Sequence, residues 1–217
     1  MKESLLDLIR TIQSDLYRYA GNIRFSKFLY HYFFEPGFKV TTQFRLCRYL
    51  KLRKKTILYP LYLLVLMIYK RNSVRYGIDL KYLTNIGKGF YIGHYGTIIV
   101  SENAVIGDNV NISHGVTIGR ANRGKNKGFP TIGSRVYIGP GAKIIGKVTV
   151  GSNVTIGANC VVTRDVPDNA VVVGIPCRII SQKGSLGYIN HTDYDFIWNK
   201  EGHDVSENQR SSKKAIS

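Results

Sequence analysis

From Ile132 onward an aliphatic residue returns at every sixth position: Ile132, Ile138, Ile144, Val150, Ile156 and Val162. Glycine often follows it, at Gly133, Gly139, Gly151 and Gly157, and a small or β-branched residue stands four on, at Val136, Ala142, Val148, Val154 and Cys160. The same register runs earlier through Ile86, Ile92 and Ile98, and again through Ile106, Ile112 and Ile118. Two breaks interrupt it: two extra residues between Ile98 and Ile106, and eight between Ile118 and Ile132, where the chain reads RANRGKNKGF. A period of six fits no helix and is a multiple of the strand period. It predicts a short strand and a turn, repeated, with each aliphatic residue directed to a common interior. Three such units make one triangular coil of a parallel β-helix, stacked about 4.8 Å from the next. The expected fold is therefore mainly β, with the β-helix over residues 76–182.

Residues 1–75 follow another pattern. Leu5, Leu6, Leu8, Ile9, Ile12 and Leu16 recur at helical spacing, and residues 22–38 are rich in aromatics: Phe25, Phe28, Tyr30, Tyr32, Phe33, Phe34 and Phe38. FRLCRYLKLRKK reads as a basic amphipathic helix. The apolar run TILYPLYLLVLMIYK, broken by Pro60, is shorter than the ~20 residues a membrane span needs. It is expected to pack on the β-helix, or else to lie at an interface with basic flanks. After Lys183 the periodicity ends, and residues 183–217 read as a partly disordered C-terminal extension.

Charge adds a constraint on partners. The chain carries a net +17, and residues 1–75 hold 15 Lys/Arg against 4 Asp/Glu. Such a field attracts an anionic membrane surface, an acidic glycan or nucleic acid. Peripheral contact with the inner membrane face is one expectation, and no nucleic-acid partner is expected. Cys47, Cys160 and Cys177 are odd in number and form no CxxC, which argues against a disulfide framework and fits a cytoplasmic protein. No cluster of His, Asp or Glu has ligand spacing, so no metal is expected. The N-terminus carries acids early and lacks an apolar leader core, so no signal peptide is expected.

Chemistry narrows to the histidines. His31 lies among aromatics, and His191 and His203 lie in the polar C-terminal region. His94 and His114 fall inside coils. His94 occupies the third position of IGHYGT, at or after a corner, with Gly93 and Gly96 leaving room for another molecule. A neutral imidazole can act there as a general base. Asp79 precedes it by 15 residues. At about 18 residues per turn it stands one coil below, near the same edge, where a carboxylate could orient the imidazole. His114, one coil above, is a rival base or a contact for the acceptor or for CoA.

Over residues 77–182 the sequence resembles the hexapeptide-repeat, left-handed parallel β-helix acetyltransferases. The aspartate of a VDIHP-like segment and the histidine of an LDHATG-like segment in serine acetyltransferases match GIDLKY and IGHYGT here, followed by TIIVSE, GVTIG, IGPGAKIIGKVTVGSNVTIGANCVV and VPDNAVVVGIPCRII. The resemblance implies acetyl transfer from acetyl-CoA to a hydroxyl, with His94 as base and Asp79 as its partner. It implies a CoA strip of Arg120, Gly139, Pro140, Ala158 and Thr163, with Arg178 and Lys183 toward phosphates. It further implies a homotrimer with sites between subunits. Tyr95, His114, Arg123, Lys127 and Phe129 are the expected acceptor contacts. Two departures stand out: Gly93 replaces the family's aspartate, and KNKGFPTI replaces its GGDRHPKI loop, with Gly128 and Phe129 at the Arg and His positions. A free amino acid needs its carboxylate and ammonium satisfied. The expectation is therefore an O-acetyltransferase of surface polysaccharide, with serine O-acetyltransferase and a non-catalytic scaffold for anionic partners as alternatives.

Overall fold

The computed structural model describes residues 4–53 and 56–199. Four helices come first: α1 (Leu5–Ala20), α2 (Phe25–Phe34), α3 (Pro36–Arg53) and, after a short 3-10 turn, α4 (Tyr59–Tyr76). A parallel β-helix with three faces follows. The first face stacks Ile78–Leu80, Ile98–Val100, Thr117–Gly119, Lys143–Ile145 and Val161–Val162. The second stacks Asn85–Ile86, Val105–Ile106, Thr131–Ile132 and Thr149–Val150. The third stacks Tyr91–Ile92, Asn111–Ile112, Tyr137–Ile138, Thr155–Ile156 and Val171–Val173, and is closed by antiparallel Arg178–Ser181.

The six-residue repeat positions this stack. Ile132, Ile138, Ile144, Val150, Ile156 and Val162 all point inward and are buried, and so are Val136, Ala142, Val148, Val154 and Cys160 behind them. Each side chain sits on its counterpart one coil away, so the interior is a close-packed column of aliphatic layers. One register assignment needs correction. The partner of Ile118 is Val100, not Ile98, and Leu80 lies beneath Val100. The two extra residues therefore do not follow Ile98. They lie between Ile92, which pairs with Ile112, and Val100, in the corner that carries His94.

The helices and the coils share one core. Val40, Phe44, Cys47 and Tyr69 belong to the same buried cluster as Ile78, Leu80, Phe90 and the aliphatic column above them. α3, expected as a basic amphipathic helix, is instead the central helix. It buries Thr41, Thr42, Gln43 and Arg45 as well as Phe38, Val40 and Phe44, because α1, α2 and α4 pack around it and its start meets the third face. Its polar groups are held inside: Arg45 pairs with Asp15 of α1 at 3.0 Å and donates to the carbonyls of Ile86 and Gly87. His31 packs among Tyr19, Tyr30 and Phe38, and burial lowers its imidazole pKa below the ordinary value.

α3 approaches the first coil at Gly37. A Cβ there would intrude on the carbonyl oxygen of Ile92 and stand 2.9 Å from the Tyr19 hydroxyl, which itself bonds the Ile92 backbone. Gly37→Ala is expected to destabilise the fold by about 1–3 kcal/mol, the usual cost of forcing extra volume into a packed contact. A urea midpoint equal to that of the unaltered chain would contradict this.

α4 turns Tyr62, Tyr69 and Ser73 inward, and the Tyr69 hydroxyl donates to the Leu80 carbonyl. Its run from Thr56 is thus buried along one face only. The expected disorder after Lys183 does not extend through residues 183–199. Ser185 donates to the Arg135 carbonyl, Tyr194 to Asn109, and Trp198 to Gln13 of α1, so this stretch lies across the coils and returns to the helices. His191 packs against Gly21 and edge-on to Tyr17. His203 and the remainder of the tail lie outside the described residues.

Candidate active site

Each coil turns a corner between its third-face strand and its first-face strand. The residue two places after the inward aliphatic stands at that corner each time: His94, His114, Pro140 and Ala158, following Ile92, Ile112, Ile138 and Ile156. Backbone bonds hold these corners in one column. Gly115 donates to the Gly96 carbonyl at 2.9 Å, Gly141 to the His114 carbonyl at 2.9 Å, and Asn159 to the Pro140 carbonyl at 2.8 Å. This column is the leading edge of the first face.

His94 and His114 are both exposed, and their rings meet edge to face with centroids 6.0 Å apart. The two-residue insertion widens the His94 corner. Gly96, at φ 110°, supplies backbone that other residues resist, and Thr97 follows at φ 53°. Tyr95 projects from the same corner onto Tyr76 at the end of α4, with ring centroids 5.5 Å apart. Lys39 of α3 reaches that place too, donating to the Phe33 carbonyl at the end of α2 and lying over the Tyr76 ring. Sequence reasoning did not find Tyr76, which lies outside the repeat. It also missed Lys143, whose Nζ donates to the Gly115 carbonyl beside His114. Lys143 precedes inward Ile144, so the repeat did mark it as outward.

Asp79 is on the first face, one coil below, paired with Ile99 in register. Gly77, two residues before it, accepts from Ile98 and lies under Gly96 and Thr97. Asp79 thus follows, on the first face, the corner that lies beneath the His94 corner, and its carboxylate is taken by Lys81 at 2.9 Å, with both side chains about half exposed. An ion pair so exposed is weak and exchanges readily.

The remaining expected contacts divide. Gly139, Pro140 and Ala158 stand on the leading edge with the histidines. Arg178 pairs with Val173 at the top of the same edge. Arg120, the 120–130 loop and Thr163 stand on the trailing edge, beyond the first-face strands. The loop is closed by mutual bonds between Ala121 and Gly128 at 3.0 Å. It folds toward later coils, where Asn126 donates to the Thr163 carbonyl and accepts from the Lys147 amide. Arg120 lies over the Phe129 ring, and Arg123 and Lys127 are exposed. Lys183 lies beyond Ser181, which pairs with Val171 at the far end of the third face. Within one chain, then, the loop does not reach His94.

Cys160 is an unsuitable nucleophile. It is buried in the aliphatic column, and burial pushes its thiol up to about 11, so it stays protonated near neutrality. An exposed imidazole is the group at this edge able to take a proton from a hydroxyl.

Known proteins agree with the geometry. The description "Bacterial transferase hexapeptide (six repeats)" fits residues 129–164. A serine acetyltransferase of Bacillus pumilus is 39% identical over 135 residues, 61% of this chain and 62% of that protein, so the chain spans less than two thirds of this curated relative. The crystal structure of serine acetyltransferase from Brucella abortus superposes with a TM-score of 0.63 at 32% identity, covering 82% of this chain and 69% of that one. The Neisseria gonorrhoeae serine acetyltransferase, solved in complex with serine, gives 0.64 at 28% identity, covering 82% and 71%. These likenesses overturn the expectation of a surface-polysaccharide acceptor. It rested on three positions, Gly93, Gly128 and Phe129, and on the aromatic, basic N-terminal region, whereas the agreement with serine acetyltransferases extends over the coils and into the helices. In its repeat, its fold and its relatives, the chain belongs to the hexapeptide-repeat acetyltransferases and is similar throughout that region to the serine acetyltransferases.

Proposed function

We propose that this protein transfers an acetyl group from acetyl-CoA to the hydroxyl of serine. The observation that carries the reading is the exposed His94 imidazole on the corner column of a stack that serine acetyltransferases share. The gonococcal relative binds serine, and the Brucella abortus relative was also solved with coenzyme A.

His94 takes the proton of the serine hydroxyl as the oxygen attacks the thioester carbonyl. A carbon–oxygen bond forms, and the carbon–sulfur bond breaks. The imidazolium returns its proton to the departing thiolate, so the histidine ends unchanged. Asp79, released from Lys81, supports the imidazolium from the coil below. The pantetheine arm follows the leading edge along Gly139, Pro140 and Ala158, where small side chains let it approach the backbone. Arg178 meets phosphate at the top of that edge by charge-assisted bonds.

A homotrimer with sites between subunits completes this arrangement. The loop and the histidine column lie on opposite edges of one chain, so one subunit's loop would serve its neighbour's histidine. Arg123 and Lys127 on that loop are the available cations for the serine carboxylate. α2 supports the same assembly: none of its ten residues is buried, although most are apolar, and its end adjoins Tyr76 and the His94 corner. Thiol release from acetyl-CoA is expected to depend on added L-serine. Release no faster with L-serine than with buffer would overturn this reading.

A further inference from the structure

We infer that the outward face of α4 docks on an anionic lipid surface. The face opposite Tyr62, Tyr69 and Ser73 carries Leu61, Leu64, Met67 and Ile68, all exposed, with Met67 at 63% and Ile57, in the turn before the helix, at 86%. This is a continuous apolar strip on a helix whose other side is packed, and strips of that kind mark a contact. Its surroundings define the partner. Along α4 itself the chain has three Lys/Arg, Lys70, Arg71 and Arg75, and no Asp/Glu. All three are exposed and lie together at the end of the helix, beyond the strip.

An apolar strip that ends in a cluster of cations matches the boundary of an anionic bilayer, where acyl chains take the apolar face and headgroups take the basic end. A second copy of this chain would set the same cations against each other, at an energetic cost. Among the described residues no helix is long and apolar enough to cross a membrane, so the helix lies along the surface. Docking of this kind is independent of the acetyl-transfer reading, because no residue of the His94 corner takes part.

The test is sedimentation of the full chain with vesicles of phosphatidylcholine, and with vesicles containing about one quarter phosphatidylglycerol. Binding is expected to be at least about tenfold tighter to the anionic vesicles, the scale of two basic residues near a charged surface. Leu64→Glu with Met67→Glu, at positions that contribute nothing to the core, should abolish it and leave acetyl transfer unchanged. Lys70→Glu with Arg71→Glu should erase the preference for phosphatidylglycerol while preserving the fold. Absence of binding by the unaltered chain would overturn the proposal, as would equal binding by both variants. So would a fall in sedimentation mass on introducing the two glutamates without vesicles, which would identify the face as a contact between copies.

Discussion

Replacing His94 by alanine is expected to lower kcat for acetyl transfer by about 10²–10⁴-fold, the usual contribution of a positioned general base. The KM for acetyl-CoA should change little, because the pantetheine arm is assigned to corners two and three coils higher. His114→Ala separates the two imidazoles. Their rings are 6.0 Å apart, so both can approach the same hydroxyl, but the wider corner, with Asp79 on the coil directly below, belongs to His94. The His114 variant should retain most of kcat. The reverse outcome, with activity lost in His114→Ala and kept in His94→Ala, would transfer the role of base one coil upward.

Asp15→Ala is expected to cost about 3–5 kcal/mol of stability, the effect of leaving one half of a buried ion pair unmatched. Arg45 gives Asp15 two bonds, at 3.0 and 3.3 Å, and Asp15 also accepts from the Phe90 amide at 2.8 Å. These contacts join α1, α3 and the first coil. The guanidinium is buried, and no other carboxylate pairs with it among the described residues. At about 2–4 °C per kcal/mol for a chain of this size, Tm should fall by about 6–20 °C. Asp15→Asn, which keeps an acceptor, should lose less. A fall of under about 2 °C for the alanine variant would mean that water reaches Arg45 and screens it.

The β-helix was legible because its signal is repeated: one aliphatic residue in six, confirmed at coil after coil. The register failed at one place. Ile98 and Val100 are both aliphatic, both buried and two apart, and sequence alone does not say which continues the column. α3 was misread because Gln43 and Arg45 look like surface residues, and their burial is accounted for by partners distant in sequence: Tyr32 and Asn72 for Gln43, Asp15 and the Ile86 and Gly87 carbonyls for Arg45. The ordered stretch after Lys183 has no period. It is held by single anchors such as Ser185 and Tyr194, which carry no pattern. The histidines were found because the repeat assigns a corner position. The division of the expected CoA contacts was also present in the repeat: Arg120 and Thr163 follow first-face aliphatics, Gly139 and Ala158 third-face ones. Grouping them by resemblance concealed it. The acceptor was misjudged because three positions and the basic N-terminal region were weighed above the rest of the chain.

The extra pair of residues at Gly93–Thr97 has a broader implication. Pairing resumes at Ile98, and Val100 is back on the aliphatic column, so the longer corner leaves the register of the stack unchanged. A scaffold that absorbs length changes at its rim can revise what it accepts without rebuilding its interior, and selection on substrate choice is then largely uncoupled from selection on folding.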